Sequence, residues 1–535
     1  MPNVTFDAKD IAKLFAAKEF DSLVDGVGME VEERKGGSVT VSVTPNRPDM
    51  LSFAGFMRAL GLHSGKARPK TYAVAGKPAL SIRVTPAVMR VRPFIAAFVV
   101  RNMDLKGNAL RYVIDFTEKL SDNYGRKRKK LAMGMHDLDA VKGAIRYDAG
   151  HDGRFVPLRG SRAMSFAEIL EGHAKGEEYG YTISRNGNAD YPFLMDSEKV
   201  LSLIPIINSN ATRTTARTRS MLVDVTGTDR NAVDDAARMT ACMLIDMGAE
   251  VLPASIEYPG GKEITPSMRP RRIRVALKDF EETIGVRSTA KELAGIAARE
   301  GYIARALRGT IAVDVPPYRT DVLNGQDVIE DLAIAYGYQA IKPIPVRGHS
   351  IGRESDSNVR DNGIAMLMVG LGFTEAMNYY LSNERVQFGM MHREQGKGTI
   401  TVAKSKTESI TMLRRAVLPG LLQNLGGSSH ERMPQRLFEI GKVFRLESGR
   451  PVEETHVAFV SEHSKANFAE AKSVVDALAR YTGMRIGYKA HNDGAFIDGR
   501  CASFVDGLVG EITPEVLESF KIEEPVIGGE IVLEP

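Results

Sequence analysis

Cysteine occurs only twice in 535 residues, as Cys242 and Cys501. The two stand far apart and in no metal-ligand spacing, which argues against a disulfide scaffold or a structural zinc site and fits a reducing cytoplasm. No apolar run reaches the roughly 18 residues of a membrane span. The opening "MPNVTFDAKD" has no basic start followed by an apolar stretch, so no signal peptide is read there. No G-x-x-x-x-G-K-[ST] loop exists, and "DGVGME" (25–30) lacks the third glycine and the strand–helix setting of a dinucleotide site. The ten histidines form no H-E-x-x-H pair, and His456 and His463 read as solvated surface. No Ser or Cys nucleophile motif appears. Excess charge of one sign is missing too: Lys plus Arg is 71 against 67 for Asp plus Glu, a net +4. A nucleic-acid surface, if present, must therefore be local.

What is there describes a folded chain, with 43% apolar and 26% charged residues, too long for one ordinary core. Residues 1–66 alternate helix and strand signals, with "DAKDIAKLFAAKEFDSLV" at helical spacing and "SVTVSVTP" (38–45) as a strand. After a connection at 66–78, short strands such as "FIAAFVVRNM" and "SMLVDVTGTD" fill 80–256, with a helix over 230–251. Pro, Gly and basic residues mark a boundary at 253–272. A strand–helix–strand–helix unit is expected over 271–345, a linker at 342–357, and a last block over 358–535 with a helix near 470–482. No internal repeat is found.

Three stretches stand out. In "PPYRTDVLNGQDVIEDLAIAYGY" (316–338) the acids Asp321, Asp327, Glu330 and Asp331 gather at a helix start, with no Lys or Arg from Thr320 to Ile341. Asp327 and Glu330 suit a capping box and the helix dipole. Residues 327, 330 and 331 also share a helix face, where like charges repel, and a hard divalent ion would relieve that. Spacing leaves both readings open. The run Arg126, Lys127, Arg128, Lys129, Lys130 is either a solvated face or a phosphate-contacting loop. In "LSLIPIINSNATRT" (201–214) and "SMLVDVTGTD" (220–229), Asn208 closes an apolar run, and Asp224 and Thr226 point to one strand face. That face is either solvated or the polar floor of a pocket.

Taken together, "TPNRPDMLSFAGFMRALGL" (44–62), "RKRKKLAMGMHDLD", "IPIINSN", "VPPYRTDVLNGQDVIEDLAIAYGY", "LRRAVLPGLLQNL" (413–425) and "RLFEIGKVFR" (436–445) resemble, in order, the phenylalanyl-tRNA synthetase beta subunits of the shorter archaeal and eukaryotic type. The resemblance implies an α+β multidomain chain. Residues 1–80 would form an amino-terminal domain and 85–265 a tRNA-editing domain of mixed sheets and helices. Residues 271–345 would be a small winged-helix-like domain, and 350–535 a degenerate, non-catalytic class II synthetase domain built on an antiparallel sheet. It implies Mg2+ at Asp321, Asp327, Glu330 and Asp331, where Asp331 replaces a glutamate usual in the family. It implies an editing pocket around Ser202, Asn208, Asp224 and Thr226, with "IPIIN" where two prolines are common.

The same resemblance implies an alpha subunit, an α2β2 heterotetramer, tRNA(Phe) and a cytoplasmic setting. The sequence ends "VIGGEIVLEP" with no Arg after its last Glu. Without the guanidinium that class II enzymes place on the ATP γ-phosphate, phenylalanine activation by ATP is expected on the alpha subunit. A pocket that excludes an added hydroxyl by apolar contact alone gains only about a hundredfold, so a second site that hydrogen-bonds tyrosine and hydrolyses its ester is the expected remedy. On that implication Asn208 orients ester or water, and Asp224 and Thr226 read the tyrosine hydroxyl. Two other readings stand beside it: a tRNA-binding and assembly module without active editing, and a free-standing aminoacyl-tRNA hydrolase.

Overall fold

The computed structural model describes residues 2–533 apart from 75, 152, 184–189, 346–347, 349–350, 404, 406 and 506. In Ser38–Ser42 the valines at 39 and 41 alternate with hydroxyl residues and are buried, as a half-buried strand requires. This strand lies between Asn3–Asp7 and Glu30–Lys35, antiparallel to both. The helical stretch that follows is two short helices, Ala8–Ala12 and Ala17–Gly26, the first capped by Asp7 accepting from the Lys9 amide. Ser52 caps Phe53–His63, whose buried Phe56 and Leu60 join a core shared with the next sheet.

That next sheet has ten strands among the described residues. Its order is Ile207–Asn208, Val200–Leu203, Tyr191–Met195, Ile145–Gly150, Leu80–Val84, Glu250–Tyr258, Phe94–Arg101, Met221–Gly227 and Leu131–Asp137, with Gly261–Thr265 also paired to Glu250–Tyr258. Leu80–Val84 runs parallel to both of its neighbours, and the remaining pairs are antiparallel. Phe94–Arg101 and Met221–Gly227 read as near-continuous apolar runs because both faces are covered. The helix Arg230–Asp246, capped by Asp229, covers one face with Val233, Ala237 and Cys242.

Residues 271–338 form a smaller unit: strand Arg271–Ala276, helices Leu277–Ile284 and Ala290–Ala297, a hairpin of Ile303–Leu307 with Thr310–Val315, and helix Gly325–Tyr336. The expected strand–helix–strand–helix order missed the second helix, which Thr289 and Glu292 begin with a capping box. It also missed the hairpin, turned at Gly309 with φ +69°.

The chain divides into two units, Met1–Pro345 and Val346–Pro535. The second is built on a seven-stranded sheet in the order Thr374–Glu375, Gln435–Glu447, Arg450–Glu462, Val526–Leu533, Gly507–Ile512, Phe496–Phe504, Lys489–Ala490. Only the first pair is parallel. Phe459 and Val475 pack on one side of it, Leu421 and Val460 on the other. The helices Asp356–Gly370 and Phe468–Thr482 follow the periodicity of the sequence. His456 and His463 are not solvated surface: each ring lies against a carboxylate, Glu530 at 2.6 Å and Glu470 at 2.9 Å. Among the described residues no helix is long and apolar enough to cross a membrane.

Candidate functional site

The ten-stranded sheet curls until its ends meet. Asn208, on one terminal strand, donates from Nδ2 to the Met135 carbonyl on the other at 3.2 Å. Between them lies a cavity of about 550 Å³ lined by Ser202, Asn208, Asp224 and Thr226 together. Strand pairing explains the grouping: Ser202 is opposite Asn208, Asp224 opposite Gly134 and Thr226 opposite Ala132. Asp224 and Thr226 are therefore a buried polar floor, at 2% and 1% exposure, and not a solvated face. A larger cavity, about 990 Å³, lies elsewhere in the first unit and contains none of the expected site residues. Its central carboxylate, Asp246, is already held by Arg58 at 2.5 Å and Lys70 at 2.8 Å.

Groups the sequence did not single out hold this floor. His136 is fully buried, with Nε2 3.2 Å from Asp224 Oδ1 and Nδ1 2.8 Å from Thr212 Oγ1. Asp224 remains an acceptor through Oδ2, which has no hydrogen-bond partner among the described residues. Arg92, 2% exposed, donates to Thr226 Oγ1 at 3.3 Å, to the Thr226 carbonyl at 2.9 Å and to the Arg128 carbonyl. Among the described residues it meets no carboxylate within ion-pair distance, and burial pulls its guanidinium down to about 10. The hydroxyl of Ser202 is buried and has no hydrogen-bond partner among the described residues. Gly134, opposite Asp224, leaves room for the carboxylate: a Cβ there would stand 2.3 Å from Oδ1. The one sequence signal for these groups is the spacing in "AMGMHD": residues 132, 134 and 136 share a strand face.

The basic run divides by role. Residues 126–128 all have positive φ, a tight left-handed turn after the helix Ala109–Asp122. Arg128 turns inward, stacks on Tyr179 at 3.9 Å and donates from Nη1 to the Pro205 and Ile206 carbonyls, both at 2.9 Å. Lys130 pairs with Asp229 at 2.9 Å. Arg126, Lys127 and Lys129 are exposed. Arg159, Lys175 and Arg213 add positive charge to the cavity lining, where the carboxylates are Asp224 and Glu118.

The four acids of the third stretch have a different arrangement from the one their spacing suggests. Arg319, one residue before the stretch 320–341 that lacks Lys and Arg, is 1% exposed at its side chain and donates from Nη2 to Asp331 at 2.6 Å and to Asp321 at 2.7 Å. Tyr302 also donates to Asp331. Burial pushes the Asp331 carboxyl up to about 6 against the pull of Arg319, and Glu300 adds to the rise. The helix cap is Asn324, with Asp327 accepting from the amides of Leu323 at 2.6 Å and Asn324 at 2.9 Å. Glu330 takes no part in that box and faces solvent. Among the described residues no group of three or more His, Cys, Asp or Glu side chains is placed to hold a metal ion. In this arrangement two of the acids lie on one guanidinium and a third on backbone amides, with Glu330 left in solvent.

Comparison with known proteins defines a class, the chains of an aminoacyl-tRNA ligase. The B3/4 domain family matches residues 77–243, the tRNA synthetase B5 domain 273–338, and the phenylalanyl tRNA synthetase beta chain CLM domain 342–533. The Archaeoglobus fulgidus phenylalanine–tRNA ligase beta subunit is 36% identical over 100% of this chain and 98% of its own length. That of Methanosphaera stadtmanae is 33% identical over 99% of both. An N-terminal fragment of the Pyrococcus horikoshii phenylalanyl-tRNA synthetase beta subunit superposes with a TM-score of 0.60 at 29% identity, covering 63% of this chain and all of the fragment. The chain belongs to the phenylalanine–tRNA ligase beta-subunit family.

Proposed function

We propose that this chain is the editing and assembly subunit of a cytoplasmic phenylalanine–tRNA ligase, joined to an alpha subunit as an α2β2 heterotetramer and binding tRNA(Phe). The observation that carries the editing reading is the cavity where Ser202, Asn208, Asp224 and Thr226 meet, with Asp224 Oδ2 unpartnered among the described residues. A tyrosine hydroxyl donates to that oxygen, whereas a phenyl ring leaves it without a donor, a difference that disfavours phenylalanine. Asn208, tethered to Met135, orients the ester or the attacking water. Water adds to the ester carbonyl, the bond to the ribose oxygen breaks, and the water's proton passes to that oxygen, with tRNA hydroxyls assisting. Exposed Arg159 and Arg213 at the lining suit the phosphates of a tRNA end.

Activation of phenylalanine by ATP belongs to the alpha subunit on this reading. Both arginines of the strand Gln435–Glu447 are engaged with carboxylates, Arg436 with Glu470 at 3.3 Å and Arg445 with Glu447 and Glu454. A partner is supported by apolar side chains left in solvent on the second unit, among them Met366 at 71%, Met377 at 92% and Tyr379 at 90% exposure. Asn208→Ala in the assembled ligase tests the editing reading. Charging with phenylalanine stays intact while Tyr-tRNA(Phe) survives longer; unchanged deacylation removes Asn208 from the site, and no deacylation by the unaltered enzyme leaves a binding and assembly module.

A further inference from the structure

We propose that His136 is the positioning residue that makes the cavity selective for tyrosine: its Nε2–H fixes one oxygen of Asp224 so that the other is presented to the substrate hydroxyl. The inference rests on the editing reading and deepens it.

A carboxylate accepts hydrogen bonds and donates none, so the 3.2 Å contact requires the proton to sit on His136 Nε2. Nδ1 lies 2.8 Å from the Thr212 hydroxyl, which can donate to it and so accommodates that tautomer. All three side chains are at most 2% exposed, so solvent does not stand in for any of these bonds. Without His136, no other group among the described residues hydrogen-bonds the Asp224 carboxylate, which is then free to rotate about the side-chain bond. The neighbouring cation does not replace this contact, because Arg92 is directed at Thr226 and the Arg128 carbonyl. Gly134 completes the seat by leaving room for the held oxygen. Selectivity against phenylalanine depends on where Oδ2 points, and His136 decides where Oδ1 is.

The test uses the assembled ligase and compares deacylation of Tyr-tRNA(Phe) with that of Phe-tRNA(Phe). His136→Gln reaches Asp224 with an amide N–H at about the place of Nε2, whereas His136→Asn reaches only the Thr212 side. His136→Asn is expected to lower kcat/KM for Tyr-tRNA(Phe) at least tenfold and to narrow its preference over Phe-tRNA(Phe). His136→Gln is expected to recover most of both. A purely structural role would lower both variants alike and leave the ratio of the two esters unchanged, which would overturn the assignment. So would full selectivity in His136→Asn. The imidazole 15N shifts of the unaltered protein supply a readout separate from activity: a proton on Nδ1 with Nε2 bare rules the proposal out. If the unaltered enzyme spares Tyr-tRNA(Phe), the editing reading fails first, and this inference with it.

Discussion

Gly134 and Asp224 face each other across paired strands, and a Cβ on Gly134 would stand 2.3 Å from the Asp224 carboxylate. No side chain larger than hydrogen is compatible with that carboxylate in its place. Gly134→Ala is therefore expected to turn Asp224 away from His136 and to cut Tyr-tRNA(Phe) deacylation tenfold or more, while phenylalanine charging by the ligase is unchanged. Deacylation at the unaltered rate would mean that Asp224 does not read the substrate.

The sequence made half of this site legible. Alternation in "LVDVTG" was enough to put Asp224 and Thr226 on one face, since the period of a strand is fixed by its pleat. What covered that face depended on register and closure, which local pattern does not carry. Asn208 reaches Met135 over 73 residues, and His136 reaches Thr212 and Asp224 over 76 and 88. A lone histidine in a strand gives no sign of such partners. The acidic stretch shows the opposite error. Its helix was evident, but the cation that neutralises two of its acids sits at 319, one residue before the segment counted as free of cations. The capping box likewise starts at Asn324, because the chain turns into the helix three residues before Asp327.

Arg319 is expected to be a stability residue of the small 271–338 unit. Its side chain, 1% exposed, holds Asp321 and Asp331 and lies 3.9 Å from Glu300. Arg319→Met keeps the bulk and strands those carboxylates in a dry site, at a cost of about 3–5 kcal/mol. Arg319→Lys recovers only part of it, because one ammonium does not reproduce the fork to two carboxylates. Urea unfolding of the three proteins measures this. Equal stability would return the acids to a role that does not need the guanidinium.

The basic turn separates into two testable parts. Arg126, Lys127 and Lys129 are exposed, whereas Arg128 is pinned between Tyr179 and the carbonyls of Pro205 and Ile206. Alanine at the three exposed positions is expected to lower the slope of log Kd for tRNA against log salt by up to about 2–3. Arg128→Ala is expected to leave most of that slope and to slow deacylation, since it frees the 205–206 segment at the cavity wall. An unchanged slope in the triple variant would assign these lysines and arginine to ordinary surface.

Glu530 gives the second unit a defined response to acid. Its side chain is 13% exposed, accepts from the amides of Val417 and Leu418, both at 2.9 Å, and receives His456 Nδ1 at 2.6 Å. Burial raises its pKa, but His456 and the two amides outweigh that and hold it below the usual 4.5. An acid whose folded pKa is lowered releases its proton more readily in the native state. Its stabilisation is therefore complete above pH 4.5 and is lost as pH falls through the lower native value. Glu530→Gln, neutral at every pH, is expected to be about 1.5–3 kcal/mol less stable near pH 7, the magnitude of hydrogen bonds to a charged group. The gap to the unaltered protein narrows below pH 4.5, and exchange of the Val417 and Leu418 amides, which open the helix Leu418–Gly427, accelerates in step. A gap that stays constant from neutral pH into acid would mean that Glu530 carries its proton in the folded protein, and that His456 is not its partner.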